Sequence, residues 1–258
     1  MDSRERFTAT VSDYKAARPT YTDELLRWLW ADAGLQMNDE IVDIGCGTGI
    51  STRWLAQSGI SVIGIEPNAK MLQAAREAGD ESRRITWVNS DAESFDLGGR
   101  KVKAIVGGQS FHWLDLKKAN INFRKYLNPN GRVIAFWNVR DLSVPYMKAF
   151  HDLLLRECPV YPEHEEKLAL LNFGLTDYLQ DSGRPQGLQD LHVARLGGVE
   201  QILDFETFSK RTWSSSYVKH SVRNIERFNN SLVNYFNEHN EDGVIHFKHK
   251  SVVFSYLP

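Results

Sequence analysis

The sequence has few cysteines, no long apolar run and no excess of either charge. Its 258 residues include two cysteines, Cys46 and Cys158, so we expect neither a disulfide framework nor a zinc site built from cysteines. No apolar run approaches the roughly 20 residues that cross a bilayer, and the opening MDSRERFTAT lacks the apolar core of a secretory signal. Lysine and arginine total 31 against 33 acids, which gives no electrostatic reason to expect nucleic acid or a membrane as partner.

These absences leave a cytoplasmic protein that acts on a small molecule, as a monomer or weak homodimer. With 42% hydrophobic and 25% charged residues, the composition is that of a globular protein. Short apolar strands alternate with helices along its first half. We predict strands at 41–44, 61–65, 85–88, 102–106 and 133–137 and helices at 48–57, 68–78 and 114–126. This alternation predicts an α/β fold with a parallel sheet covered on both faces.

The two ends of the chain depart from this alternation. Residues 7–30 have a helical pattern interrupted by Pro19, and Thr22 is placed to cap the helix that follows. Residues 145–185 are largely helical in pattern. We predict further helices at 205–213 and 222–238 and two late strands at 191–196 and 245–256. The chain therefore divides into an N-terminal helical segment (1–30), a core (31–140), and a helical lobe that includes the last two strands (141–258).

Three glycines follow the first predicted strand in the sequence IVDIGCGTG, residues 41–49. Glycine tolerates positive φ and lets a ligand approach the backbone, and the next helix presents free N–H groups at its start. Glu66 ends the second predicted strand, where an acid can accept hydrogen bonds from both hydroxyls of a ribose. Asp91, after the third strand, could accept from an adenine amino group. The alternatives are a structural turn for the three glycines and a helix cap for each of the two acids.

The glycine spacing and a nearby acid discriminate between two cofactors that contain adenosine. Nicotinamide dinucleotides usually bind G-x-G-x-x-G, whereas Gly45, Gly47 and Gly49 form G-x-G-x-G. Asp43 lies two residues before the first glycine, where it would repel a pyrophosphate but suit a cationic sulfonium and ammonium. The pattern therefore favours S-adenosylmethionine.

Four segments, VDIGCGTG, IGIEPNAKML, NSDAES and LNPNGRVIAFWN, resemble the successive motifs of class I S-adenosylmethionine-dependent methyltransferases, most nearly the type 11 methyltransferase domain. FTATVSDYKAARPTYTDELLRWL and GGQSFHWLD also resemble the trans-aconitate methyltransferase-like subgroup. The resemblance covers roughly residues 10–140. It implies a Rossmann-like, doubly wound, mostly parallel sheet of seven strands, with an N-terminal helical lid, a cofactor-binding core at 31–140 and a helical insertion after strand five.

The resemblance also implies which residues bind S-adenosyl-L-methionine. The glycines would surround its methionine part with Asp43 near the ammonium, Glu66 would bind the ribose, and Asp91 and Ala92 would frame the adenine. Arg18 would pair with its carboxylate. The full set of expected cofactor residues is Tyr14, Arg18, Asp43, Gly45, Cys46, Gly47, Gly49, Glu66, Pro67, Met71, Asp91, Ala92 and Gln109.

The methyl acceptor is less constrained by the sequence. A sulfonium donor is already activated, so a carboxylate acceptor needs no general base, whereas a phenol or amine could use one. His112 is the best candidate base. The other expected acceptor-side residues are Phe111, Trp113, Trp137, Arg140, Arg211 and Tyr217. No metal site is expected, because His246 and His249 would point to opposite faces of a strand.

Three other functions stay open from the sequence. The chain could bind S-adenosylmethionine without transferring its methyl group, as a sensor or partner subunit. It could be a nicotinamide oxidoreductase, which the glycine spacing opposes. It could methylate nucleic acid, but neither its charge nor the residues after Val106, GGQS, support this.

Overall fold

The computed structural model describes residues 19–79, 83–162 and 189–258. Tyr14 and Arg18, the residues expected to contact the cofactor from the lid, lie outside these ranges, as do residues 163–188 of the predicted helical lobe. The strands are β1 (Glu40–Ile44), β2 (Ser61–Ile65), β3 (Ile85–Val88), β4 (Val102–Gly108), β5 (Leu127–Arg140), β6 (Gln189–Leu203) and β7 (Ile245–Leu257). The α-helices are α1 (Asp23–Ala33), α2 (Ile50–Ala56), α3 (Ala69–Glu77), α4 (Leu116–Tyr126), α5 (Pro145–Glu157), α6 (Phe205–Trp213), α7 (Ser216–Ser221) and α8 (Ile225–His239).

The seven strands form one sheet in the order β3-β2-β1-β4-β5-β7-β6. The pairs β1–β2, β1–β4, β2–β3 and β4–β5 are parallel, and β7 runs antiparallel to both of its neighbours, β5 and β6. The predicted seven-stranded Rossmann-like sheet is confirmed, but it is mixed. The strand order reverses between β1 and β4, which is where doubly wound sheets bind ligands.

Side-chain caps set where several helices begin. The predicted cap Thr22 accepts from the Leu25 N–H at 3.2 Å. Asn68 accepts from Lys70 and Met71 at the start of α3, at 3.0 and 3.2 Å. Capping satisfies N–H groups that a first turn leaves without helical partners.

Several predicted element boundaries were wrong, two of them because a side-chain cap starts the helix later in the sequence. Asp115 caps α4, so the helix expected from residue 114 begins at Leu116, after a 3₁₀ turn at Phe111–Trp113. Asn224 likewise caps α8, so the helix expected from residue 222 begins at Ile225. Strand β5 begins at Leu127 rather than at residue 133, because residues 128–131 form a bulge against β4. Strand β6 covers Gln189–Leu203, well beyond the expected 191–196.

Apolar side chains cover both faces of the sheet, and a third group packs between the helices of the lobe. One face packs Ile63, Phe123 and Phe254, and the other packs Leu25, Leu55 and Phe136. A third cluster joins α5, α6 and α8 to β7. Within the described residues, none of the helices has the length and apolar character needed to cross a membrane.

Candidate functional site

A cavity opens at the carboxyl ends of β1, β2 and β4, beside the point where the strand order reverses. The expected cofactor and acceptor residues that line it are Gly45, Cys46, Gly47, Glu66, Pro67, Met71, Asp91, Ala92, Gln109, His112, Trp113, Arg211 and Tyr217. It is also lined by residues that we did not predict, among them Tyr21, Thr48, Ser51, Asn138 and His249. Strand order explains the grouping, because parallel strands bring their carboxyl ends to one edge.

Two of the three motif glycines form the floor of this cavity. Gly45 and Gly47 have φ of 64° and 56°, a region that L side chains rarely adopt. A Cβ on Gly47 would lie 3.2 Å from the Met71 Cε, inside the space that the loop keeps open. Gly49 was also expected to contact the cofactor. It is outside the cavity lining, and a Cβ there would meet the Trp87 ring at 2.5 Å, so this glycine serves packing.

Glu66 connects the glycine loop to the start of α3. One carboxylate oxygen accepts from the Gly47 N–H at 2.9 Å, and the other accepts from the Asn68 N–H at 2.9 Å. The side chain is buried, and burial raises its pKa although the two N–H groups lower it. Each oxygen has two lone pairs, so both keep acceptor capacity for a ligand hydroxyl.

Asp43 lies beneath the loop rather than in the cavity. Its Oδ2 accepts from the Ser51 hydroxyl at 2.7 Å and the Thr52 hydroxyl at 2.6 Å, and it is fully buried. Asp43 was expected near the cofactor ammonium, and Ser51, which donates to it, is the residue at the cavity wall. Burial raises the pKa of Asp43 to about 6, with the charge of Glu66 adding to the effect.

This raised pKa predicts a pH dependence of stability. The pKa of Asp43 is about 6 in the folded protein against an ordinary 3.8, so the folded state binds more protons between those values. Its contribution to stability is therefore complete below about pH 4 and is lost as the pH rises through 6, by about 3 kcal/mol. Denaturant titrations from pH 4 to 7 should show wild type losing more stability than Asp43→Asn over this range. Parallel curves would contradict the assignment.

The end of β3 provides the opposite wall. Asp91 accepts from the Ser94 hydroxyl, and the following Ala92 is buried at the cavity wall. Asn89 donates to the carbonyl oxygens of Glu66 and Pro67, at 2.7 and 3.1 Å. These bonds tie the loop after β3 to the loop after β2, so the acids expected at the two strand ends face one space.

The loop after β4 contains a non-glycine residue with positive φ. Gln109 has φ of 60°, its N–H donates to the Phe136 carbonyl at 2.9 Å, and its side-chain amide donates to the Asn138 carbonyl at 3.2 Å. Such conformations cost energy and concentrate at binding sites. Ser110 donates to the Ile44 carbonyl at 2.6 Å and fixes this loop against the end of β1.

His112 faces the cavity from the 3₁₀ turn, next to the half-exposed Trp113. Its Nδ1 accepts from the Trp137 indole N–H at 3.5 Å. An indole nitrogen only donates, so the neutral imidazole carries its proton on Nε2. Phe111 and Trp137 were expected to contact the acceptor, but both are buried in the core and neither is in the cavity lining.

Two arginines lie at or near the side of the cavity that faces β5 and β7. Arg211 of α6 lines the cavity, and its guanidinium donates to Gln201 at 2.9 Å and to His249 at 2.8 Å. Arg140 was expected to contact the acceptor and does not line the cavity. It donates instead to the hydroxyl of Tyr217, which does line it. Arg140 thus acts on the cavity through Tyr217.

Nothing in the described residues indicates metal or thiol chemistry. They contain no group of His, Cys, Asp and Glu side chains that could hold a metal ion, and His246 binds Glu200 at 2.7 Å while His249 faces the cavity. Both cysteines are buried and unbridged, and burial raises the pKa of each thiol, that of Cys158 to about 11. Thiolate nucleophiles are therefore not available at neutral pH.

The cavity fits the cofactor that the sequence predicts. Gly47 lines the cavity, and a Cβ on it would approach the Met71 Cε to 3.2 Å. The Thr48 hydroxyl in the wall and Oδ1 of Asp43 beneath it are buried without a hydrogen-bond partner. Buried polar atoms left unpaired cost free energy. Acids at the ends of β2 and β3 suit the ribose, the adenine amino group and the positive charge of S-adenosylmethionine.

Comparison with known proteins agrees with this geometry. Residues 41–131 match a family described as a methyltransferase domain. The chain is 28% identical to an uncharacterized methyltransferase of Schizosaccharomyces pombe over 193 residues, 72% of this chain and 75% of the relative. That match extends well beyond the domain.

Solved structures share the fold. A protein provisionally named a type II methyltransferase, from Anaeromyxobacter dehalogenans, superposes with a TM-score of 0.64 at 19% identity, covering 93% of this chain and 95% of that one. A methyltransferase of Geobacter sulfurreducens in complex with S-adenosyl-L-homocysteine gives a TM-score of 0.50 at 16% identity, covering 100% and 99%. The motifs, the domain match at residues 41–131 and these relatives together support an enzyme that is an S-adenosylmethionine-dependent methyltransferase.

Proposed function

We propose that the protein transfers the methyl group of S-adenosylmethionine to a small organic acid, held by a carboxylate on the β5–β7 side of the cavity. The observation that carries this proposal is Arg211, a guanidinium that is 7% exposed and lines the cavity. A buried guanidinium is costly unless anions or good acceptors meet it, and its planar fork suits a carboxylate. This acceptor class agrees with the resemblance to the trans-aconitate methyltransferase-like subgroup.

The cofactor side of the proposal uses the residues at the ends of β1, β2 and β3. Glu66 would accept from the ribose hydroxyls, and Asp91 from the adenine amino group with Ala92 against the ring. Gly45, Gly47 and Met71 would contact the methionine part. When bound, S-adenosylmethionine supplies a methyl group on a positively charged sulfur. The protein's own tasks are to align the two reactants and to exclude water.

The acceptor side is separated from the cofactor side by β4. Strand order places β5 and β7 beyond β4 from the glycine loop, and Arg211, Tyr217 and His249 lie at this end. An acid held here would present an oxygen toward the middle of the cavity, beneath the loop with His112. A carboxylate oxygen is already ionised near neutral pH, so no side chain has to remove a proton from it.

His112 is then a hydrogen-bond donor rather than a base, because its Nδ1 already accepts from Trp137. We expect His112→Ala to lower turnover by no more than about tenfold, against the ~10²–10⁴ typical for loss of a general base. The measurement is the initial rate of product formation at saturating cofactor. The exposed His220, on α7, provides the matched control His220→Ala. A loss beyond a hundredfold at His112 with an intact fold would indicate a base-assisted acceptor.

The experiment that tests the proposed function uses trideuteromethyl-labelled S-adenosylmethionine and a small-molecule extract. We expect the label in a small acid, as an ester that mild alkali hydrolyses. Arg211→Gln should abolish the product while S-adenosylhomocysteine still binds. Label recovered in nucleic acid or protein, or in an ether or amine that resists alkali, would contradict the proposal.

A further inference from the structure

We propose that His249 is a positioning residue, which holds the Arg211 guanidinium in place for an anionic acceptor by staying in one neutral tautomer. This inference rests on the proposed function, since it concerns the same anion site. His249 is 6% exposed and is one of the residues that line the cavity. Sequence reasoning considered it only as a metal ligand.

The hydrogen bonds of His249 assign its proton. Its Nε2 lies 2.8 Å from Nη2 of Arg211, and a guanidinium only donates, so Nε2 accepts. Its Nδ1 lies 3.2 Å from the Val199 carbonyl oxygen, which only accepts, so Nδ1 carries the proton. A second proton on the ring would place a donor and a positive charge against the guanidinium. The arrangement therefore requires the neutral Nδ1–H form.

A bulge in β6 creates the carbonyl that fixes this tautomer. The register of β6 against β7 shifts between Gly197 and Glu200, and Val199 lies within the shift. A Cβ on Gly198 would lie 2.1 Å from the His249 carbonyl oxygen, so only glycine lets the two backbones approach so closely. Bulges commonly redirect a group beside a functional site. Here the bulge turns a carbonyl from the sheet toward the imidazole.

Two further contacts leave the guanidinium little freedom. Nε of Arg211 donates to the Gln201 side chain at 2.9 Å, and the guanidinium carbon lies 4.0 Å from the centre of the Phe247 ring. Gln201 follows the bulge in β6, and Phe247 precedes His249 by two residues in β7. The bulge, the imidazole and the ring thus position one cation, which lowers the entropic cost of binding an anion.

Two substitutions separate the two hydrogen bonds of His249. Gln places an amide oxygen near the position of Nε2 and can accept from Arg211, whereas Asn is shorter and reaches only the position of Nδ1. The probes are benzoate, succinate and citrate, each with its neutral amide, titrated by calorimetry into protein saturated with S-adenosylhomocysteine. We expect an acid to bind at least tenfold tighter than its amide. His249→Asn should remove this preference and His249→Gln should keep acid affinity within about threefold.

Several results would overturn the inference. These are equal losses in both variants, no loss in either, or no preference for any acid over its amide. A fall in S-adenosylhomocysteine affinity in His249→Asn would assign the guanidinium to the cofactor instead. Failure of acid binding would leave the proposed function to be judged separately by the labelled methyl product.

A spectroscopic measurement tests the tautomer of His249 without any acceptor. Nitrogen-15 spectra of histidine-labelled protein should show the His249 ring with its proton on Nδ1 and a bare Nε2, and the signal should vanish in His249→Gln. A ring with its proton on Nε2, or one doubly protonated at neutral pH, would contradict the positioning role.

Discussion

Substitution of Gly47 by valine should abolish cofactor binding while leaving the protein folded. Gly47 has φ of 56°, and a Cβ there would lie 3.2 Å from the Met71 Cε at the cavity floor. A β-branched side chain would both strain this backbone and fill the space reserved for the ligand. We expect S-adenosylhomocysteine affinity to fall by at least a hundredfold, measured by calorimetric titration, which corresponds to about 3 kcal/mol.

The matched control is Gly98→Val. Gly98 has φ of 61°, nothing lies within 4 Å of its would-be Cβ, and it is exposed outside the cavity. It should show the same backbone cost in a denaturant titration with cofactor affinity unchanged. Normal binding by a folded Gly47→Val protein would place the cofactor elsewhere.

Glu66→Ala should weaken cofactor binding by about 1–3 kcal/mol, or roughly 5- to 150-fold, the range for losing a hydrogen bond to a charged group. The structure gives this loss two sources. Removal of the carboxylate would leave the ribose hydroxyls without their acceptor. It would also leave the N–H groups of Gly47 and Asn68 without theirs. Calorimetric titration with S-adenosylhomocysteine is the measurement, and Glu66→Gln, which keeps one acceptor oxygen, should lose less.

The pH dependence provides a second readout for Glu66. Burial raises its pKa, so the carboxylate is protonated at a higher pH than an exposed glutamate would be. Affinity should therefore decline as the pH falls through this raised pKa, and the decline should be absent in Glu66→Ala. Asp96 is a suitable control, because it also accepts from a glycine N–H, that of Gly98 at 2.8 Å, but on the exposed surface. Asp96→Ala should leave binding unchanged.

The cofactor half of the site was predictable because each of its elements is local in sequence. Where a strand pattern is followed directly by glycine, or by an acid and a helix cap, the sequence predicts both where the strand ends and which groups of a ligand can bind there. Parallel pairing then brings Gly47, Glu66 and Asp91 to one edge without further information. The exceptions within this half were Asp43 and Gly49. The spacing of residues in the sequence does not distinguish a residue that lines the cavity from one that is buried behind the lining.

The acceptor half depends on contacts between distant parts of the chain, and sequence reasoning placed it poorly. His249 pairs with Arg140 in the β5–β7 register, and Val199 reaches His249 only through a bulge. The periodicity of apolar residues along the sequence predicts neither the register of two strands nor a bulge of this kind. The same distance explains why the contact between Arg140 and Tyr217, 77 residues further along the chain, was not predicted.

The measurement that tests the central claim most directly is calorimetric titration of the full chain with S-adenosylhomocysteine and, separately, with NAD. Our account predicts saturable binding of S-adenosylhomocysteine, with NAD at least a hundredfold weaker, because the G-x-G-x-G loop above Asp43 and the buried Glu66 suit a cationic sulfonium cofactor rather than a pyrophosphate. Equal or tighter binding of NAD would contradict it.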